Sequence, residues 1–304
     1  MKFVIFGIGG IGGTLGSFLT LNGEDVTLIA RGAHLEKIRC DGLKVTSDLK
    51  GELRVPVKAC TAEEYDDKAD VVILCIKSYA LDGAIAFLKK ACTPDTIVLH
   101  VLNGIGIGDL IASKFDDAHI LDGAIFMTGF IKEPGHTVQL GQMNRLVFGP
   151  RPNDDVDMKK LKQIEEKLIS SGINAELKED PRFETFNKFR GFGTFASVGT
   201  FYDVNAEQLR NDEQKMATYR KVAREIHTLA EANGVGVANY DVENDVKGVF
   251  NMPAEMTSSF YKDMKAGKIS EIETVLYEPM RMAKQLGVEM PEFEKIARHF
   301  GFEE

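Results

Sequence analysis

The groups in this chain best suited to chemistry are polar side chains set against apolar neighbours. Asn187-Lys188-Phe189 opens a predicted helix whose i, i+4, i+8 row reads Lys188, Phe192, Ala196, so an ammonium leads an otherwise apolar face. A lysine in that setting either snorkels or acts on a ligand. Lys77 follows the apolar run Val71 to Ile76, which puts a second ammonium at the carboxyl end of a buried strand. Asn103 follows the run Thr96 to Leu102 and leads into Gly104-Ile-Gly106, where a turn asparagine and a ligand-facing one are equally compatible with the local pattern. Glu271 lies at the start of a late helix, where the macrodipole alone favours a carboxylate.

What such groups act on is suggested by the N-terminus. Lys2-Phe-Val-Ile-Phe6 runs into Gly7-Ile8-Gly9-Gly10-Ile11-Gly12, an apolar strand that breaks into a glycine turn and then a helix. Gly7 makes the tight turn, Gly9 lets the backbone approach a pyrophosphate, and Gly12 allows close packing of helix on strand. The phosphates then sit on unpaired helix N–H groups. A helix from Thr14 to Asn22, with Gly16 as a further packing position, and a strand Asp25 to Ile29 complete a βαβ unit. An NAD site wants a carboxylate after that second strand, but here it ends Ile29-Ala30-Arg31-Gly32. A guanidinium suits a 2′-phosphate, so Arg31 points to NADPH.

These residues need two kinds of scaffold, and the chain changes grammar once. Up to about Leu177 strands alternate with helices. The runs at 71–76 and 96–102 read as parallel strands, Leu43 to Thr46 and Glu52 to Ala59 as an antiparallel insertion. Strands at 120–130, 137–140, 145–148 and 174–177 and a helix at 157–170 complete this half. The charged, proline-containing segment Lys178-Glu-Asp-Pro-Arg182 marks the boundary, and helical periodicity follows. Helices are expected at 213–233, from Met252-Pro253, and from Ile269 to Leu286 before Gly287. The fold class is therefore α/β: an N-terminal Rossmann-type doubly wound sheet over residues 1–179, and a C-terminal all-helical domain over 180–304. That order implies an active site in a cleft at the carboxyl ends of the strands.

Composition agrees. At 304 residues the chain exceeds the size at which one core keeps growing, and 44% hydrophobic with 27% charged residues is ordinary for a globular protein. A net charge of −9 argues against nucleic acid and anionic membranes as partners. No apolar run approaches the roughly twenty residues of a membrane span, and the four widely spaced cysteines read as free thiols, so a cytosolic protein is expected. No GxSxG occurs, and the six histidines are scattered without triad or ligand signatures, most of them expected at the surface or rim.

Taken together, Gly7-x-Gly9-x-x-Gly12, Arg31, Ile76-Lys77, Asn103-Gly104-x-Gly106, Asn187-Lys188-Phe189, and Ser258-Ser259 with Asp263, Gly267 and Ser270-Glu271-Ile272 make the chain resemble the ketopantoate reductases (2-dehydropantoate 2-reductases) nearly end to end. The resemblance implies NADPH as hydride donor and a 2-oxo acid as acceptor. It implies that Gly7 to Gly12, Arg31, Lys77 and Gly129 hold the cofactor, that Asn103 contacts cofactor and substrate, and that Lys188 donates the proton. Ser259 becomes a substrate contact and Glu271 a catalytic and cofactor-side residue. A monomer or a homodimer through the helical domain is expected. One departure stands out. The family usually continues the lysine helix with asparagines four and eight residues on, which grip the substrate's distal hydroxyl, whereas this chain has Phe192 and Ala196. A buried hydroxyl without partners costs roughly 1–3 kcal/mol unless Thr194, Ser197 or Asn205 substitutes. Ketopantoate reduction and reduction of a branched or aromatic 2-oxo acid are thus two readings of one mechanism. A nucleotide-sensing regulator without turnover is a third, against which Lys188 and Glu271 argue.

Overall fold

The computed structural model describes residues 1–236 and 240–303. The chain divides into two compact units, residues 1–102 with 107–181 and residues 103–106 with 182–304. The second boundary lies two residues beyond the 179/180 division expected from sequence. The short excursion at Asn103 to Gly106, which carries one of the candidate residues, groups with the helical unit.

The first unit opens with β1 (Lys2–Phe6), α1 (Gly10–Leu21), β2 (Asp25–Ile29) and α2 (Gly32–Asp41). Next come β3 (Leu43–Ser47), β4 (Gly51–Val55), β5 (Lys58–Cys60), β6 (Val71–Leu74), α3 (Leu81–Ala91), β7 (Ile97–His100) and α4 (Ile107–Ala112). A long hairpin, β8 (His119–Glu133) and β9 (His136–Pro150), is followed by α5 (Met158–Ser170) and β10 (Asn174–Leu177). In the sheet the strands lie in the order β4-β3-β9-β8-β7-β6-β1-β2-β5, with β10 also paired to β9. The run β5-β2-β1-β6-β7-β8 is parallel at every step and has the dinucleotide-fold order 3-2-1-4-5-6, so the strand order reverses between β1 and β6. Val71 to Leu74 and Ile97 to His100 are buried without alternation, as strands covered on both faces must be.

Several elements differ from expectation for local reasons. The single strand expected at 52–59 is two, because Pro56 has no N–H to give a ladder; β4 pairs antiparallel with β3, and β5 pairs parallel with β2 at the far edge. The strands expected at 137–140 and 145–148 are one continuous β9, which Gly141 carries through with φ +76°. His100 and His136 are buried rather than at the rim. His100 Nε2 lies 2.9 Å from Asp122 Oδ1, and His136 Nε2 lies 2.8 Å from Thr46 Oγ1. The four cysteines are free, and burial pushes the Cys75 thiol well up.

The second unit contains α6 (Arg182–Phe201), α7 (Ala206–Arg210), α8 (Glu213–Ala232), α9 (Val242–Phe250) and α10 (Ser259–Lys265). A π-helical turn (Glu273–Tyr277) then runs directly into α11 (Glu278–Leu286), and α12 (Pro291–His299) follows. The helix carrying Lys188 begins at Arg182, five residues earlier than its motif suggests. No helix starts at Met252-Pro253; α10 waits for Ser258, whose Oγ accepts the Tyr261 N–H and caps it. The helix expected from Ile269 starts only at Ile272, beyond Glu271, and ends as expected on Gly287 in the left-handed conformation. Phe189, Tyr219, Phe260 and Phe293 form its fully buried centre. Among the described residues no helix is long and apolar enough to cross a membrane.

Candidate active site

The glycine loop between β1 and α1 is a cradle made of backbone. Gly7 has φ +99°, and a Cβ there would meet Ile76 Cγ2 at 2.6 Å and the Cys75 carbonyl oxygen at 2.9 Å, where β1 and β6 diverge. A Cβ on Gly12 would lie 2.1 Å from the Gly7 carbonyl oxygen, so helix and strand touch as only glycine permits. Gly9 is different, with nothing within 4 Å of the position its Cβ would take. As the N-cap of α1 it has no side chain to cap the exposed N–H groups, and the first turn carries no acidic residue. Those N–H groups and the positive end of the helix dipole are what a diphosphate needs. Gly16 packs as expected, its Cβ position 2.4 Å from Leu28 Cδ2.

Gly129 and Gly10 pack backbone to backbone, a Cβ on Gly10 falling 1.9 Å from the Gly129 carbonyl carbon. The observed work of Gly129 is thus to bring β8 against the start of α1. Ile8 is buried, and Ile11 packs at the edge of the sheet core. Arg31 stands at the N-cap position of α2 with extended backbone, no capping bond from its side chain and an exposed guanidinium that pairs with no carboxylate among the described residues. Lys77 follows β6, on the same side of the sheet as the glycine turn and next to where the strand order reverses. One residue that sequence reasoning passed over, His34, accepts the Gly135 N–H at Nδ1 (3.0 Å), tying α2 to the tip of the β8–β9 hairpin; burial lowers its pKa. Nothing in its spacing marks it. The residues present fit a dinucleotide, with the glycine loop and the α1 N–H groups for the diphosphate and Arg31 for a further phosphate.

Within the helical unit three residues far apart in sequence form a chain of contacts. Lys188 Nζ donates to Asn103 Oδ1 at 3.2 Å, and Asn103 Nδ2 donates to Glu271 Oε2 at 3.4 Å. Glu271 is 1% exposed, and its own carbonyl accepts the Val275 N–H, which fixes it to the turn that follows. Buried Phe186 and Phe189 set the rotation of α6 about its axis, each contributing about 1.5–3 kcal/mol. Lys188 keeps some accessible surface, yet protein atoms crowd its ammonium. Burial pushes its pKa down to about 8, and the negative charge of Glu271 works in the opposite direction. A proton on Lys188 is therefore both available near neutral pH and readily given up.

The remaining candidates are placed as follows. Phe192 packs on the helical core and Ala196 is fully buried, so the row beyond Lys188 is apolar in fact as in sequence. Asn205 is occupied as the N-cap of α7: its Oδ1 accepts the Gln208 N–H at 2.9 Å and its Nδ2 donates to Glu255 at 3.2 Å. Ser197 Oγ donates to the Gly193 carbonyl at 2.7 Å, and Thr194 is wholly buried. Of the two adjacent serines, Ser258 is buried and spent on the α10 cap, while Ser259 is exposed at the first position of that helix. Asn187, next to Lys188, accepts from Arg190 at 2.7 Å, and Arg190 in turn donates to Asp245 at 2.7 Å.

The chain is similar to known proteins over nearly its whole length. Residues 3–153 match the family model described as ketopantoate reductase PanE/ApbA, and residues 184–303 match the model of its C-terminal domain. The 2-dehydropantoate 2-reductase of Mesorhizobium japonicum is 26% identical over 295 residues, covering 91% of this chain and 89% of its own. That of Archaeoglobus fulgidus is 27% identical over 289 residues, covering 94% and 92%. A crystal structure of a PanE/ApbA family ketopantoate reductase from Ralstonia eutropha superimposes with a TM-score of 0.86 at 24% identity, covering 98% of this chain and 97% of that one. A ternary structure of D-mandelate dehydrogenase with NADH and anilino(oxo)acetate has a TM-score of 0.85 at 24% identity, covering 98% and 96%. With both of its halves matched in order, the chain belongs to the PanE/ApbA ketopantoate reductase family, NADP-dependent oxidoreductases acting on a CH–OH group.

Proposed function

We propose that the protein reduces a 2-oxo acid to the 2-hydroxy acid with NADPH, Lys188 giving the proton. The observation that carries this reading is the Lys188–Asn103–Glu271 chain, an ammonium of lowered pKa aligned by an amide on a buried carboxylate. NADPH, when bound, supplies the hydride. As the carbonyl carbon accepts it, negative charge builds on the carbonyl oxygen, and the Lys188 ammonium stabilises that charge and transfers a proton to it. Asn103 Oδ1 accepts from the Lys188 ammonium and so holds its direction. Glu271 keeps the amide turned so that its oxygen faces the lysine. On the cofactor side, Gly7 to Gly12 receive the diphosphate, Arg31 the 2′-phosphate, and Lys77 the nicotinamide half.

Lys188→Ala tests the assignment: turnover should fall about 10²–10⁴-fold while NADPH still binds, as read by quenching of its fluorescence. Undiminished turnover removes Lys188 from the mechanism. The breadth of similarity to 2-dehydropantoate 2-reductases makes ketopantoate the first acid to expect. A second reading, a branched or aromatic 2-oxo acid, is favoured by Phe192 and Ala196, and by the fact that Ser197 and Asn205 have their hydrogen bonds committed within the protein. A fold neighbour named for mandelate, an aromatic 2-hydroxy acid, is consistent with it. A kcat/KM for ketopantoate far above that for 2-oxoisovalerate decides for the first reading, and the reverse order for the second.

A further inference from the structure

The helix that follows Glu271 is irregular where it matters most. Between Glu273 and Tyr277 the backbone is π-helical, with the Glu278 N–H bonded to the Glu273 carbonyl, five residues back. Pro279 follows at once and has no N–H for the Val275 carbonyl, so the regular register would lose a bond here in any case. Across this junction lies Arg281. Its guanidinium pairs with Glu273 Oε1 at 2.6 Å and with Glu278 Oε2 at 3.0 Å. The second pair has ordinary helical spacing, but the first joins residues eight apart, about 12 Å of rise in a regular α-helix. One side chain therefore clamps the π turn to α11.

The same helix is the seat of the Asn103 loop. Ile105 is 2% exposed within the helical core. Gly106, at φ +70°, faces α11, where an added Cβ would lie 3.1 Å from Met282 Cε and at an ordinary contact distance of 3.5 Å from Glu278 Cγ. Glu278 is thus held by Arg281 and lies beside the Gly106 end of the Asn103 loop, while Glu273 is held by Arg281 two residues after Glu271. We propose that Arg281 is a positioning residue for proton delivery: by clamping Glu273 and Glu278 it fixes both the carboxylate of Glu271 and the amide of Asn103 relative to Lys188. The inference rests on the reading of Lys188 as proton donor, and its test separates the two.

The experiment compares wild type, Arg281→Met and Arg281→Lys in the pH dependence of kcat for 2-oxo acid reduction, with thermal unfolding alongside. In Arg281→Met, Glu271 and Asn103 lose their register on Lys188, so kcat should fall about threefold to tenfold and its alkaline limb move to lower pH, because the charge of Glu271 then supports the ammonium less. Arg281→Lys should restore most of the limb, and the KM for NADPH should stay within about twofold throughout. A merely structural Arg281 would lower the unfolding temperature and leave the limb in place, and that result overturns the proposal. So does a limb unchanged in Glu273→Gln, the variant to use if Arg281→Met does not fold. Full activity of Lys188→Ala would instead defeat the underlying reading, whatever Arg281 does.

Discussion

The glycine cradle and the lysine cluster are built on opposite plans. The first is backbone: Gly7, Gly9 and Gly12 contribute by what they lack, with backbone carbonyl oxygens crowding the Cβ positions of Gly7 and Gly12 and none near that of Gly9. The second is side chain: Lys188, Asn103 and Glu271 contribute charge and hydrogen bonds at 3.2 and 3.4 Å, and are placed by packing elsewhere. A site of the first kind fails by collision, one of the second kind by electrostatic drift. The two kinds of failure are experimentally distinct.

The largest contrast is expected inside the cradle itself. Gly12→Ala puts a methyl 2.1 Å from the Gly7 carbonyl oxygen, so strand and helix must separate. The cost is about 1–3 kcal/mol of stability for such overpacking, and NADPH affinity should drop by more than ~100-fold as the loop and the helix N–H groups lose their common geometry. Gly9→Ala meets no protein atom within 4 Å, so its melting temperature should match wild type. It should nevertheless weaken NADPH by roughly 10–100-fold, the loss of one charge-assisted hydrogen bond at about 1.5–3 kcal/mol. Calorimetric melting with cofactor titration reads both. Equal melting losses in the two variants would erase the distinction between packing glycine and phosphate-facing glycine.

Arg31 gives the next effect, because it is a side-chain element attached to a backbone site. Its guanidinium is exposed and pairs with no carboxylate among the described residues, so Arg31→Ala removes little from the fold. NADPH affinity should fall about tenfold, a phosphate contact screened by solvent, while NADH affinity stays where it is. Loss of both in parallel would mean that Arg31 supports α2 rather than a phosphate.

The same contrast explains what could be read from the chain. A glycine's role follows from its neighbours within a dozen residues, so β1, the loop, α1 and β2 were legible, as were the βαβ order and the change to helices near Lys178. Lys188 was legible as an ammonium heading an apolar row. Its partners were not, since Asn103 and Glu271 lie 168 residues apart and no local pattern pairs them; only resemblance to a family placed all three together. The π turn was invisible for a related reason. Its signal is a proline in an otherwise good helix, and whether the chain answers with a kink, a break or a π bond depends on tertiary contacts such as the Arg281 clamp. The commitment of Asn205 to a cap was foreseeable from Gln208 three residues later, a capping-box spacing.

The smallest expected effect tests the electrostatic side most directly. Lys188 donates only as the ammonium, and its pKa is lowered from the usual lysine range to about 8, first by burial, with Glu271 acting against the fall. Reduction should therefore be at full rate below about pH 7 and lost as pH rises through about 8, with a twofold deficit where half the lysines are neutral. In Glu271→Gln the opposing charge is gone and the amide can still accept from Asn103, so geometry is kept while the limb moves to lower pH. At pH 8 that variant should therefore run slower than wild type, and at pH 6 nearly as fast. A deficit of the same size at both pH values would show that Glu271 acts through position alone. The lysine would then owe its proton affinity to burial, and the cluster would resemble the cradle more closely than its charges suggest.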